Sequence, residues 1–458
     1  MTTARALLRN RTLLLPLGAI AAVALSYALL AVGGTNARPS RPTSAAVQDQ
    51  VTQPEPPAAG TGIGTADPAD TSRRIAFWQD RIAANPNSDQ QYVYLGELYA
   101  QKGRETGDVA NYALAEQAFR NALGLFAGNN AARAGLARNL VTLHSWKDAI
   151  AEGTALLRSD PRALGAVAII GDASLETGDL DTAQAAFETL RQKMDGPAVT
   201  VRLARLAFLR GNTDEAIRLA DEAAAGAASL NASAEEQAFD HYVAGEYRWQ
   251  KGDVAGADAQ YQASLAVFPS YYLSLAGRGR AAFARGDIDG AIGYYRSAAA
   301  IIPKPELLAY LGDLYALKGD PAAAERQYRA VDFIGTLGDT QSRVYNRELA
   351  MFEATHGRNV TNAVTLAQAE LADRKDSYGY DALAWTLFRA GRASEALQPA
   401  HLALALGTKD AKVLYHAGMI ELATGQAAQG RAHLEEALAL NPAFDPLGSA
   451  DARKALGR

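Results

Sequence analysis

At 458 residues the chain is long enough for about three average domains. Its 45 Lys+Arg against 50 Asp+Glu leave a net charge of −5, so electrostatics give no sign of a nucleic-acid partner. The absence of cysteine excludes disulfides, thiol catalysis, Cys-ligated zinc and the lipidated cysteine of a lipoprotein anchor.

Residues 1–11 carry Arg5, Arg9 and Arg11 ahead of an uncharged stretch at 12–37, whose apolar heart runs from Leu13 to Val32. Those 20 residues are about the length needed to cross a hydrocarbon core, and longer than the ~7–15-residue apolar region of a cleaved signal peptide. The expectation is a transmembrane signal-anchor at 12–37. The leading arginines put residues 1–11 in the cytoplasm and the rest of the chain outside it. Cleavage after Ala37, giving a secreted or periplasmic protein, is the alternative. Residues 38–72, with Pro39, Pro42, Pro54, Pro56, Pro57, Pro68 and the run Gly60–Gly64, read as a disordered Pro/Gly-rich tether.

From residue 73 onward a glycine recurs at helical-hairpin spacing, usually followed by an acidic residue or asparagine. Gly178 to Gly211 is 33 residues, Gly252 to Gly286 is 34, Gly286 to Gly319 is 33, and Gly391 to Gly425 is 34. A fixed period of that size marks a solenoid with one continuous core, and overrides the count from length. Each such glycine closes a helix in the left-handed conformation, and the next residue (Asp179, Asn212, Asp253, Asp287, Asp320) caps the following helix. Pro321 after Asp320 stands at the favoured first helical position. Small residues such as Gly171 and Ala183 let paired helices approach, while Phe187 and Leu190 fill the layer between hairpins.

The grid recurs. Leu95-Gly96, Tyr99 and Gly103 lead to Ala115, Phe119 and Ala122; Gly245, Gly252, Ala257, Tyr261 and Pro269 precede Gly279, Gly286, Ala291, Tyr295 and Pro303; Leu311-Gly312, Tyr315, Gly319, Ala324 and Tyr328 form the cleanest copy. Weaker units span 204–223 and 350–370. The pattern resembles the tetratricopeptide repeat, W-x-x-L-G-x-x-Y, then A-x-x-x-F, then P. About ten copies cover roughly residues 88–443. The resemblance implies an all-α, right-handed α-solenoid of about ten tetratricopeptide-like hairpins with terminal capping helices over 73–458. Similar proteins are commonly bacterial and membrane-anchored. Gly153 and Gly430 stand where a larger residue or alanine is expected, so their hairpins should be looser.

Insertions at 104–111, 226–235 and 333–340 break the period, and insertions in such arrays map to loops. Coupling between neighbours only makes these the expected points of bending.

No catalytic constellation emerges. The six histidines (His144, His241, His356, His401, His416, His433) lack metal-binding spacing, and no phosphate-binding or nucleophile-elbow motif is present. Asp287-Ile288-Asp289-Gly290 resembles the start of a calcium loop but lacks its closing glutamate, and reads as a helix cap. The expectation is a chain that is not an enzyme and uses no cofactor or metal.

In the tetratricopeptide family the first helix of each pair lines a concave groove. Residues one turn apart on that helix share a face, which selects Arg138, Arg205, Tyr242, Glu246, Trp249, Arg280, Asp313, Arg347, Asp381, Trp385 and Tyr415, with Met419 beside them. Such a groove suits an extended peptide or a partner helix, with aromatic anchors and arginines setting register. Val93 and Glu97 stand where the family's carboxylate clamp has lysine and asparagine, so that clamp is absent. The expected function is a membrane-tethered, non-catalytic protein-binding scaffold. A structural or assembly role through the insertions or self-association is the alternative.

Overall fold

A computed structural model of the protein describes residues 68–337 and 339–458, so the expected anchor at 12–37 lies outside the described residues. Among the described residues every regular element is a helix, and none is long and apolar enough to cross a membrane. Helix α1 (Pro68–Ala84) is followed by ten hairpins. The first five are α2–α3 (Asp89–Thr106, Ala110–Leu125), α4–α5 (Asn130–Thr142, Trp146–Ser159), α6–α7 (Leu164–Glu176, Leu180–Lys193), α8–α9 (Pro197–Leu209, Thr213–Ser229) and α10–α11 (Ala234–Gln250, Val254–Val267). The others are α12–α13 (Tyr272–Ala284, Ile288–Ile301), α14–α15 (Pro305–Leu317, Pro321–Gly335), α16–α17 (Asp339–Thr355, Val360–Asp373), α18–α19 (Ser377–Arg389, Ala393–Ala405) and α20–α21 (Ala411–Ala423, Ala427–Leu440). A last helix, α22 (Gly448–Ala455), covers the final hairpin. Residues 68–72, assigned to the tether from sequence, already belong to α1, where Pro68 is the first helical residue and buried Thr71 donates to Glu105.

The turn chemistry follows the glycine beat. Gly178 takes φ +86°, and the Asp179 N–H reaches back to the Ser174 carbonyl at 2.9 Å, closing α6 as a Schellman turn. The Asp179 carboxylate then accepts from the Thr182 N–H at 3.1 Å, and Asp253, Asp287 and Asp320 cap in the same way. Asn212 makes no side-chain cap. In five of the hairpins, those with Gly96, Gly171, Gly245, Gly279 and Gly312, an aromatic ring occupies the space that the glycine leaves. A Cβ on Gly171 would sit 2.5 Å from the Phe187 ring, and one on Gly245 as close to Tyr261.

Several expectations are corrected. The described residues of the insertions fall mostly in lengthened helices, joined by short connections at 107–109 and 230–233. Helix α2 runs on through Thr106, so Gly107 rather than Gly103 takes the left-handed turn, and Gly103 packs against Tyr112. The second insertion lengthens α9 and α10 to 17 residues each, and the third lengthens α15 and α16. Adding turns keeps backbone groups paired, which an irregular loop would not. The hairpins at Gly153 and Gly430 are not loose either. Gly153 is buried against Ile170, and Gly430 lies where two backbones meet, a Cβ there standing 2.7 Å from the Gly418 carbonyl oxygen. Gly430→Ala should therefore lower stability by about 1–3 kcal/mol, read from the denaturation midpoint. An unchanged midpoint would show that the helices give way freely.

The array also coils back onto itself, so coupling is not confined to neighbours. The turn after α6 meets the loop into α18: Lys375 N–H donates to the Thr177 carbonyl at 3.3 Å, and Gly178 packs on the Lys375 carbonyl. One hairpin further, the turn after α8 meets the loop into α20. There Thr408 Oγ1 donates to the Leu209 carbonyl at 2.9 Å, and Gly211 packs on Gly407. At the next, Asn441 Nδ2 donates to the Trp249 carbonyl at 2.9 Å and Gly252 packs on Leu440. These contacts form a seam in which each turn touches the loop that follows the hairpin five places on.

Candidate functional site

The first helices carry the groove candidates, and the seam turns much of that face inward. Trp249 is 3% exposed and Trp385 2%, and Asp313, Asp381 and Tyr415 are buried as well. The charged candidates pair along the array. Arg138 bridges to Glu97, Arg205 to Glu176 at 2.9 Å, and Arg280 to Glu246. Asp313 accepts from His356 Nε2 at 2.7 Å, and Asp381 faces His416 Nδ1 at 2.9 Å. Tyrosines of the second helices add to this: Tyr261 donates to Glu246 at 2.6 Å and Tyr328 to Asp313 at 2.8 Å. Among the aromatic candidates, Trp385 donates Nε1 to Thr355 at 3.0 Å and stacks on His416, while the Tyr415 ring lies 5.4 Å from that of Phe444.

Arg205 and Arg347 belong to an ion network beside the seam. Glu176 accepts from Arg205 and from Arg374; Arg374 also pairs with Glu370 at 3.1 Å, and Arg347 holds Glu370 and Asp376 at 3.1 and 2.9 Å. Three guanidinium groups thus face three carboxylates, and the Arg374 guanidinium lies 5.4 Å over the Trp146 ring. Burial pushes the Glu176 carboxyl up, but Arg205 and Arg374 outweigh it and hold its pKa at about 2. Close by, burial and Arg374 push the His144 imidazole down to about 3.

Tyr242, Trp249 and Arg280 come together on a cavity of roughly 260 Å³ between the two turns of the coil. Tyr295, Tyr310 and Glu306 extend its wall, and Lys412, Phe444 and Asp445 close it from the far turn. Arg280 lies 5.2 Å over the Trp249 ring. Burial opposes its charge, but Glu246 beside it keeps the Arg280 pKa well above the ordinary value. Burial also raises the Tyr310 hydroxyl well above its usual range, so it stays a proton donor. Arg280 Nε and Tyr310 Oη are buried without a hydrogen-bond partner among the described residues.

The sequence reading missed Tyr310, Glu306 and the far-turn residues Lys412 and Asp445. Tyr310 shares the first-helix face and was within reach of that logic. Lys412 and Asp445 enter only through the seam, which has no sequence period of its own. The other histidines also meet side chains of the chain itself: His144 stacks on Trp146, His241 meets Gln260, and both His401 and His433 meet buried Glu421. Among the described residues no group of three or more His, Cys, Asp or Glu could hold a metal ion.

Family models of the tetratricopeptide repeat match residues 170–232, 242–305 and 411–444. No curated protein gives a significant match. Similar solved structures include the APC/C hetero-tetramer Cut9–Hcn1, 14% identical over 85% of this chain and 93% of that one, with a TM-score of 0.31. Human IFIT1 in a dimer with PPP-AAAA is 15% identical over 81% of this chain and 87% of its own, at 0.43. PilW, a type IV pilus biogenesis factor, is 18% identical over 47% of this chain and 97% of its own, at 0.38. The chain thus carries tetratricopeptide repeats at the matched residues, within an array of ten hairpins among the described residues.

Proposed function

We propose that the chain is a non-catalytic protein-binding scaffold, tethered to a membrane through residues 12–37 with its repeats outside the cytoplasm. The observation that carries the binding role is the cavity between the turns, where two buried donors, Arg280 Nε and Tyr310 Oη, have no partner among the described residues. Buried donors are nearly always satisfied in a folded protein. A carbonyl or carboxylate of a partner chain would satisfy both, with Trp249 and Tyr242 supplying apolar contact.

Crosslinking in the native membrane from a photoreactive aromatic residue at position 310, followed by mass spectrometry, should identify the partner. Tyr310→Phe is then expected to weaken that complex by about three- to tenfold, the value of one hydrogen bond, without loss of stability. A complex as tight as that of the unaltered protein would overturn the placement. Protease added to sealed vesicles with the outer face exposed should digest the repeats; protection would overturn the orientation.

A further inference from the structure

The second insertion builds a pocket of its own, on the edge of the array away from the cavity. The extra turns of α9 and α10 and the start of α8 enclose about 230 Å³, lined by Met194, Val199, Leu230 and Phe239 with Glu236 and Asp240. Drug-sized ligands need about 300–1,000 Å³, so this space suits one side chain. Ser233 and Glu236 fix the corner as a capping box: the Ser233 hydroxyl accepts from the Glu236 N–H at 3.2 Å, and the Glu236 carboxylate accepts from the Ser233 N–H at 3.0 Å. Leu230 stands at the mouth, 69% exposed.

Asp240 is the anomaly. Its side chain is buried, 5% exposed, and faces the pocket with no hydrogen bond or ion pair among the described residues. Burial, aided by the negative Glu236 one turn away, pushes its carboxyl up to about 7. Among the described residues no cation compensates it. A buried carboxylate that is neither paired nor hydrogen-bonded destabilises the fold, and such a group, kept in a cleft, marks a binding function.

We propose that this pocket binds a lysine or arginine side chain of a partner protein, its methylenes against Leu230, Phe239, Met194 and Val199 and its charged head on the Asp240 carboxylate. This rests on the protein-binding reading but places a second contact point, distinct from the cavity between the turns.

The test uses n-butylammonium and n-butylguanidinium as probes, with n-butanol as the neutral control, titrated into the whole protein at pH 8 and followed by NMR. The cations are expected to bind at least about tenfold more tightly than the alcohol, the value of a hydrogen bond to a charged group. Asp240→Asn should abolish that preference while raising the melting temperature, since it removes an uncompensated buried charge. Leu230→Ser, at an exposed position, should weaken the cations severalfold with the fold intact. Equal affinity for alcohol and amine, or an Asp240→Asn variant that keeps the preference, would overturn the proposal. These readouts involve no partner protein, so they stand or fall independently of the result with Tyr310→Phe.

Discussion

Gly252→Ala should cost several kcal/mol, while Gly286→Ala, at the same position of the next hairpin, should cost about 1–2 kcal/mol. The two glycines have nearly identical backbones, φ +80° and +81°. Both substitutions therefore carry the same penalty for a Cβ in the left-handed region. They differ only in surroundings. A Cβ on Gly286 meets nothing within 4 Å, whereas one on Gly252 collides with the Leu440 carbonyl, backbone against backbone. Relieving that overlap adds about 1–3 kcal/mol or forces the seam apart. Gly211, packed on the Gly407 carbonyl, should behave like Gly252, and Gly319, Gly391 and Gly425, which meet nothing, like Gly286. Urea denaturation of this series reads the difference, and small-angle scattering shows whether the radius of gyration grows in the first group alone. Equal costs across the series would mean that the seam is not closed in solution.

Arg374→Ala is the second large effect, at about 3–5 kcal/mol, the loss that follows when one partner of a buried ion pair is removed. Glu176 is 2% exposed and would keep only Arg205, while Glu370 would keep Arg347. The same network predicts an acid transition. The folded Glu176 carboxyl is held at about 2, below its ordinary 4.5. A depressed carboxyl stabilises the fold above pH ~4.5, and that contribution is lost as pH falls toward ~2; it is worth on the order of 3 kcal/mol. Circular dichroism should then show helices retained while scattering shows expansion between pH ~4.5 and ~2, and Arg374→Ala should move the expansion to higher pH. Expansion that coincides with loss of helix would place the acid-sensitive groups in the hairpins instead.

The hairpins were legible where the turns share one local chemistry, at Gly178, Gly252, Gly286 and Gly319. A glycine closes one helix and an aspartate opens the next, and Gly178-Asp179 and Gly286-Asp287 follow it to the hydrogen bond. Gly103, placed on the grid, does not close its helix, because helical residues continue through Thr106 to Gly107, one turn on. The pairing of the groove candidates was also there to be read. Charge alternates along the first helices, Glu97 then Arg138, Glu176 then Arg205, Glu246 then Arg280, and opposite charges one repeat apart attract each other before they meet a partner. The seam was not legible. Gly252 and Gly286 look identical in sequence, and what separates them is a carbonyl 188 residues away from the first. Asp240 was hidden for a related reason: an acidic residue in a helix reads as solvent-facing until the added turns of α9 and α10 enclose it.

The seam also dictates an order of events during synthesis. Hairpins form from contacts close in sequence and are fast, whereas Arg374 reaches Glu176 across 198 residues. A ribosome adding about 5–20 residues per second leaves the finished third hairpin waiting roughly 10–40 s for its counterpart. Through that interval the inward face of the early repeats, with Trp249 and its aromatic neighbours, stands open to solvent and to any chain nearby. Closing the coil is thus the last step of folding, and the nascent protein passes through an open state that the finished one conceals.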